Sequence, residues 1–258
     1  LETMNETSES RRLFRKKDRP QSNSIVAKIW RKLKKNPVAA FFIDILVIVA
    51  TAMVLSLLIK AFLIRSFFIP SGSMMDTLQI NDRIIVNELV PNLVPVNRGD
   101  VVVFKDPGGW LYQQPEDPET RGFVKVGDWF LSVFGLTAPD SSQHLVKRVI
   151  GVGGDHVVCC DADGKLQING VSITEPYVQS ESTPSDMKFD VTVPEGTFWV
   201  MGDNRSNSED SRYHRTQPGK GFVPTSAIVG RAFVLSWPFD RWTWLDNYPN
   251  VFKDVPNN

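Results

Sequence analysis

An apolar run from Val38 to Ile59, interrupted only by Asp44, Thr51 and Ser56, constrains this chain more than any other feature. As a helix rising 1.5 Å per residue it is long enough to cross a hydrocarbon layer of about 30 Å. A secretory signal peptide would be shorter and would be followed by a small-residue cleavage site. A buried helix of a globular core would carry a polar stripe at helical spacing. The run therefore predicts one transmembrane helix over residues 38–64. Asp44 falls about two turns inside it, where a carboxylate is costly, and reads as a neutral or headgroup-reaching group near the inner surface. A single span has no helical bundle with which to build a proton path.

Charge orients the span. The 258 residues sum to zero net charge, yet residues 1–37 hold eleven basic side chains against four acidic ones. Loops rich in Lys and Arg stay on the cytoplasmic side. Residues 1–37 are then a cytoplasmic tail, and residues 65–258 lie outside the cytoplasm. Leu1-Glu2-Thr3, ahead of Met4, reads as a remnant foreign to the natural chain. The basic cluster sits on no folded platform with a groove-reading helix or interleaved aromatics, so no nucleic-acid partner is expected. The lipid bilayer is the expected partner. The adjacent Cys159 and Cys160 have no spacing for zinc, and the three histidines (His144, His156, His214) make neither a metal set nor a triad. No metal or cofactor is expected. The cysteines read either as a vicinal disulfide in an oxidising compartment or as two strand residues on opposite faces.

Beyond Pro70 the chain alternates β-branched runs with turn signals. The runs 82–89, 100–105, 144–152, 155–160, 165–170, 196–202 and 227–237 read as strands. Asn97-Arg98-Gly99-Asp100, Gly153-Gly154-Asp155, Asp163-Gly164 and Asn169-Gly170 read as turns. Residues 106–143, rich in Pro, Gly and acidic side chains, read as an inserted loop, within which 123–136 could form a short amphipathic helix. The expected fold is mostly β. The tail "WPFDRWTWLDNY" (237–248) fits two readings, a membrane–water interface or packing against the sheet.

Three segments carry chemistry. "PSGSMMDTL" (70–78) places two serines and a glycine where an apolar segment ends. A serine hydroxyl is a poor nucleophile without a base, and a lysine serves as base only when neutral. Desolvation supplies that neutrality, because burial disfavours the ammonium. Lys147 in "HLVKRVIGV" is a lysine embedded in apolar residues, flanked by Leu145, Val146, Val149 and Ile150, although most strand lysines merely reach to solvent. "MGDNRSNSEDSR" (201–212) is a polar loop following an apolar strand. It offers Ser206, Ser208 and Ser211 as hydroxyls and Asp210 with Arg212 as an ion pair. It lacks the carboxylate pattern of a calcium loop.

Together these segments resemble type I signal peptidases, membrane-bound Ser/Lys proteases that remove signal peptides from exported proteins. "IPSGSM" (69–74) resembles the family's serine box, "KRVIGVGGD" (147–155) its lysine box and "GDNRSNSEDSR" (202–212) its third box; "RGDVVVFK" (98–105) resembles a further strand motif. The resemblance implies Ser73 as nucleophile and Lys147 as general base. It implies an oxyanion hole from the Ser73 N–H and the Ser71 hydroxyl, with Ser208 orienting the lysine and Asp210 and Arg212 bracing the loop. Ile69, Pro70, Met74, Ile84, Leu145 and Val146 match the family's small-residue pockets, which implies Ala-x-Ala cleavage sites on exported preproteins. It also implies a bacterial plasma-membrane location and a β catalytic core with a small β extension over about 156–198. Asp76, Asn81, Gly153 and Ser206 depart from the family's usual residues without removing the dyad. Asparagine at 81 tolerates the left-handed turn geometry that a glycine usually supplies.

Other readings stay open at this level. "SDMK" (185–188) fits an S-x-x-K acyl-transfer motif, but no partner motif accompanies it. Self-cleaving repressors share a Ser/Lys core, but they carry a DNA-binding head and no membrane span. A catalytically inactive, membrane-anchored substrate-binding or assembly protein would keep the same segments. Oligomeric state is not legible.

Overall fold

Short β-branched runs between turn residues form strands whose apolar faces must be buried together, and two antiparallel sheets are the outcome. The computed structural model describes residues 37–62, 64–111, 143–178 and 182–257. The chain divides into two units, Leu1–Val54 and Leu55–Asn258. Helix α1 runs from Pro37 to Phe62 over 26 residues. Its apolar side chains at consecutive positions Ile45, Leu46, Val47, Ile48 and Val49 are all exposed. The side chains described in it run unbroken only from 40 to 56. Among the described residues no helix is long and apolar enough to cross a membrane.

The larger sheet has eight strands. Its order is β1 (Ile64–Phe68), β2 (Arg83–Asn87), β11 (Ile228–Trp237), β3 (Val101–Lys105), β4 (His144–Val152), β9 (Thr197–Met201) and β10 (Val223–Pro224), with β12 (Thr243–Trp244) pairing β11. The smaller sheet orders β7 (Val171–Ser172), β6 (Leu166–Ile168), β5 (His156–Cys159) and β8 (Phe189–Thr192). All pairings are antiparallel. Asn169 and Gly170, at φ 51° and 81°, turn β6 into β7. Both residues of that two-residue turn need positive φ, which is why Asn-Gly occupies it. Asn81 likewise sits at φ 76°.

Three apolar clusters fill the core. One joins the smaller sheet to β9 through Val157, Leu166, Ile168 and Trp199. A second gathers Phe67, Ile69, Met74, Leu78 and Ile84 with Val101 and Val103 of β3. A third lies about Val102, Phe104, Trp110, Val149 and Val200. Strand β4 contributes to all three, with Ile150 in the first, Val146 against the second, and Val149 and Leu145 in or against the third. The strand that carries Lys147 thus meets all three clusters.

Helix α1 ends at Phe62, and Ile64, the last residue of the expected span, already begins β1. Apolar continuity hid that boundary, since the hydrophobic run does not break at the helix end. Cys159 and Cys160 form a disulfide. In the aromatic tail Trp237, Phe239, Trp242 and Trp244 are exposed, whereas Leu245 packs against the second cluster. Most of the expected insert, residues 112–142, lies outside the described residues, as does its expected helix.

Candidate active site

Ser73 follows the end of β1 in a turn that its own apolar neighbours hold down. Ile69 exchanges backbone hydrogen bonds with Asp82 and Asn81, Leu78 N–H donates to Met74 O at 2.7 Å, and both Met74 and Leu78 are buried. The loop after β9 fastens the same turn from the other side. Asn204 N–H donates to Ser73 O at 3.1 Å, and Asn204 Nδ2 donates to Gly72 O at 3.0 Å. Thr77 Oγ1 donates to Asp203 Oδ2 at 2.5 Å. Gly202 is required at that approach, because a Cβ there would collide with the Ser73 carbonyl oxygen and with Ser208 Oγ.

Lys147 stands on β4 opposite Val102 and is buried. Its Nζ donates to Ser73 Oγ at 2.6 Å, across a sequence separation of 74 residues. Burial pushes the lysine down to about 8, against the opposing pull of Asp210 and Asp203 and with help from Arg212. Desolvation wins because removing an ammonium from water costs more than carboxylates at a distance return. Ser71 Oγ lies 3.4 Å from Ser73 Oγ.

Behind the pair, the loop after β9 is built on buried ion pairs. Arg148, the residue after the lysine, grips Asp203 bidentately at 2.8 and 2.7 Å and also donates to Gly99 O and Asp246 O. Its guanidinium lies 4.2 Å from the Tyr177 ring centroid. Asp210 accepts from Arg212 Nε at 2.8 Å and from Gly202 N–H at 3.0 Å, while Arg212 Nη2 donates to Arg205 O at 2.9 Å. Arg205 in turn clamps Glu175 at 2.8 and 2.6 Å. Fixed bidentate geometry at every step makes this loop a rigid wall.

A cavity of about 120 Å³ opens on Ser73 and Lys147, and Ile69, Pro70, Ser71, Met74, Leu145 and Val146 share its lining. That is roughly four times the ~30 Å³ share of one water, a space on the scale of a single side chain. Ile84 does not line the cavity; it is buried in the second cluster behind Ile69 and Met74. Ser208 lies in the loop after β9. Its Oγ is buried beside Gly202 without a hydrogen-bond partner, while Lys147 Nζ is engaged by Ser73. Sequence reasoning missed two lining residues, Leu111 and His144. His144 is on the same strand as Lys147, but an odd number of residues away, so strand alternation assigns it to the other face and gives no signal. Leu111 carries no signal in its Gly- and Pro-rich surroundings. A larger cavity of about 410 Å³ beside Asp100, Arg231 and Trp244 holds no nucleophile with a base. Among the described residues no group of His, Cys, Asp and Glu could hold a metal ion.

A family profile described as signal peptidase, peptidase S26, matches residues 42–237. The chain is 37% identical to a probable signal peptidase I of Mycobacterium leprae over 207 residues, covering 70% of this chain and 71% of that protein. It is 36% identical to the signal peptidase I of Mycobacterium tuberculosis, covering 76% of this chain and 72% of that one. A crystal structure of a signal peptidase I from Enterococcus faecalis matches at 27% identity over 53% of this chain and 95% of that chain, with a TM-score of 0.33.

Proposed function

Because the chain belongs to the signal peptidase family, peptidase S26, we propose that it is a membrane-anchored serine endopeptidase. It cleaves signal peptides from exported preproteins, with Ser73 as nucleophile and Lys147 as general base. The observation that carries this reading is the 2.6 Å contact between Lys147 Nζ and Ser73 Oγ, buried at the mouth of a small apolar cavity. A neutral amine at that distance accepts the hydroxyl proton as Oγ attacks the scissile carbonyl carbon. The carbonyl oxygen becomes an oxyanion, stabilised by the Ser73 N–H and the Ser71 hydroxyl, donors whose strength grows where water is excluded. The lysine ammonium then gives its proton to the departing amine, and the amide bond breaks to leave an acyl-Ser73. Lys147, neutral again, takes a proton from water as the water oxygen attacks the ester. The C–Oγ bond then breaks, the lysine ammonium returns the proton to Ser73 Oγ, and the signal peptide leaves with a new carboxyl terminus.

The lining residues Ile69, Pro70, Met74, Leu145 and Val146 support selection of small side chains at the first and third positions before the cut. An extended peptide turns alternate side chains to one face, so those two positions enter the cleft and the middle one does not. Asp210 and Arg212 act as positioning residues, through the loop whose Asn204 holds the Ser73 turn. Residues 1–37 are cytoplasmic, the apolar helix spans the bilayer, and the β domain works at the outer face of a bacterial plasma membrane. Incubating the full chain in detergent with a preprotein, and sequencing the new N-terminus, tests this. Cleavage after an Ala-x-Ala site, lost in Ser73→Ala and Lys147→Ala proteins that remain folded, is the expected result. A Ser73→Ala protein that still produced the mapped product would overturn it.

A further inference from the structure

Leu111 shares the cavity with Ser73 and Lys147, yet it comes from neither the serine turn nor the lysine strand. It lies six residues after Lys105, the end of β3, in a stretch wound around one carboxylate. Asp106 accepts the N–H groups of Gly108 at 2.8 Å, Trp110 at 3.0 Å and Leu111 at 3.1 Å. Trp110 is buried and stacks on His214, with centroids 4.3 Å apart and planes 11° from parallel. It meets Phe104 edge-to-face at 5.7 Å. His214 Nδ1 donates to Asp210 O at 2.8 Å, and Gln217 Nε2 donates to Gly109 O at 3.3 Å. The two residues before Leu111 are therefore tied to the same loop that braces the reactive pair.

Register decides which part of a substrate would meet it. Lys105 pairs with His144, so the Asp106 loop departs from the His144 end of β4, three residues before Lys147. Three residues of strand span about 10 Å. A peptide with its scissile carbonyl at Ser73 puts its first side chain beside Lys147. Its next cleft-facing side chain, the third, lies about 7 Å farther on. We propose that Leu111, positioned by the Trp110–His214 stack, closes the far end of the cleft and sets the size limit on the third residue before the cut. This rests on the peptidase reading above.

The test uses the full chain in detergent and peptides identical except at the third residue before the cut, Ala or Leu. The readout is the ratio of kcat/KM for Leu to that for Ala. Leu111→Ala should raise the ratio about tenfold or more, the scale of a methylene-sized change in an apolar pocket. Leu111→Phe should lower it. Trp110→Ala should raise it by freeing the loop, and Trp110→Phe, which keeps an aromatic stack, should restore it towards the original value. An unchanged ratio in Leu111→Ala would overturn the proposal, and so would a change confined to peptides varied at the first residue. If Leu111→Ala cleaves neither peptide, Leu111→Val carries the same test, with the same two overturning outcomes. Failure of the unaltered chain to cleave any Ala-x-Ala peptide would instead sink the peptidase reading.

Discussion

At the scale of single residues, Lys147 sets the terms. Burial lowers it to about 8 from an ordinary value of 10.5. Its neutral form should therefore be the active one, and kcat/KM should climb through a single limb with a midpoint near 8. A midpoint near 10.4, in a pH–rate profile of the intact chain, would show that Lys147 is not the buried base. The same shift predicts a stability cost. In the window from about 8 to 10.5 the unfolded chain binds the proton and the folded one does not, so stability rises with pH across it. Below that window the buried ammonium costs on the order of 3 kcal/mol. Lys147→Met should accordingly stabilise the domain at neutral pH while abolishing cleavage, and the gain should shrink above pH 10. Denaturant melts at pH 7 and pH 10.5 separate this from a generic packing gain, which would persist at both. The two side chains that meet, Ser73 and Lys147, were both legible in the sequence, because a glycine-flanked serine after an apolar run and a lysine within one are local patterns. Where the Ser208 hydroxyl lies was not legible, because its direction depends on Gly202 and the loop closure, which no local pattern encodes.

At the scale of elements, strands with strong β-branched runs were legible, and β4 matched to its ends at His144 and Val152. Short strands were not. β7 and β12 have two residues each, and their backbone geometry comes from their neighbours rather than from their own composition. β1 was hidden by the apolar continuity described above. What holds the site together was likewise invisible, since Arg148 and Asp203 lie 55 residues apart and Thr77 lies 126 from Asp203. That network couples the lysine strand, the serine turn and the loop after β9. Asp203→Ala would leave the fully buried Arg148 guanidinium without its anion. Breaking such a pair costs about 3–5 kcal/mol, so a thermal melt should fall by roughly 10 °C or more. Activity should fall even below the new melting point, because Thr77 and the Ser73 turn lose their anchor. A melt shifted by only a degree or two would show that Arg148 finds enough compensation from Gly99 O, Asp246 O and the Tyr177 ring.

At the scale of the whole molecule, charge and apolar surface are unevenly distributed along one chain. Basic residues gather before Pro37, an apolar helix follows, and the β domain that comes next exposes four large aromatics near its C-terminal end. Trp237 and Phe239 meet edge-to-face at 4.7 Å, and Trp242 and Trp244 do so at 5.6 Å, with exposures of 47%, 75%, 51% and 63%. Packing against the sheet would have hidden them, as it hides Leu235 of β11. A water-exposed cluster of this size is costly to keep unless a second apolar phase covers it, and Trp side chains favour the boundary between lipid and water. The tail should therefore rest on the bilayer that also holds the substrate's hydrophobic segment. Phe239→Ser with Trp242→Ser should slow cleavage of a preprotein embedded in vesicles by about tenfold or more, since each aromatic buried in lipid contributes roughly 1.5–3 kcal/mol and a loss of about 1.4 kcal/mol is already tenfold. Cleavage of a short soluble peptide by the same variant should stay within about twofold, because no residue of the cavity at Ser73 comes from this tail. Equal losses on both substrates would mean that the aromatics support the fold, and equal retention on both would mean that the lipid surface does not engage them.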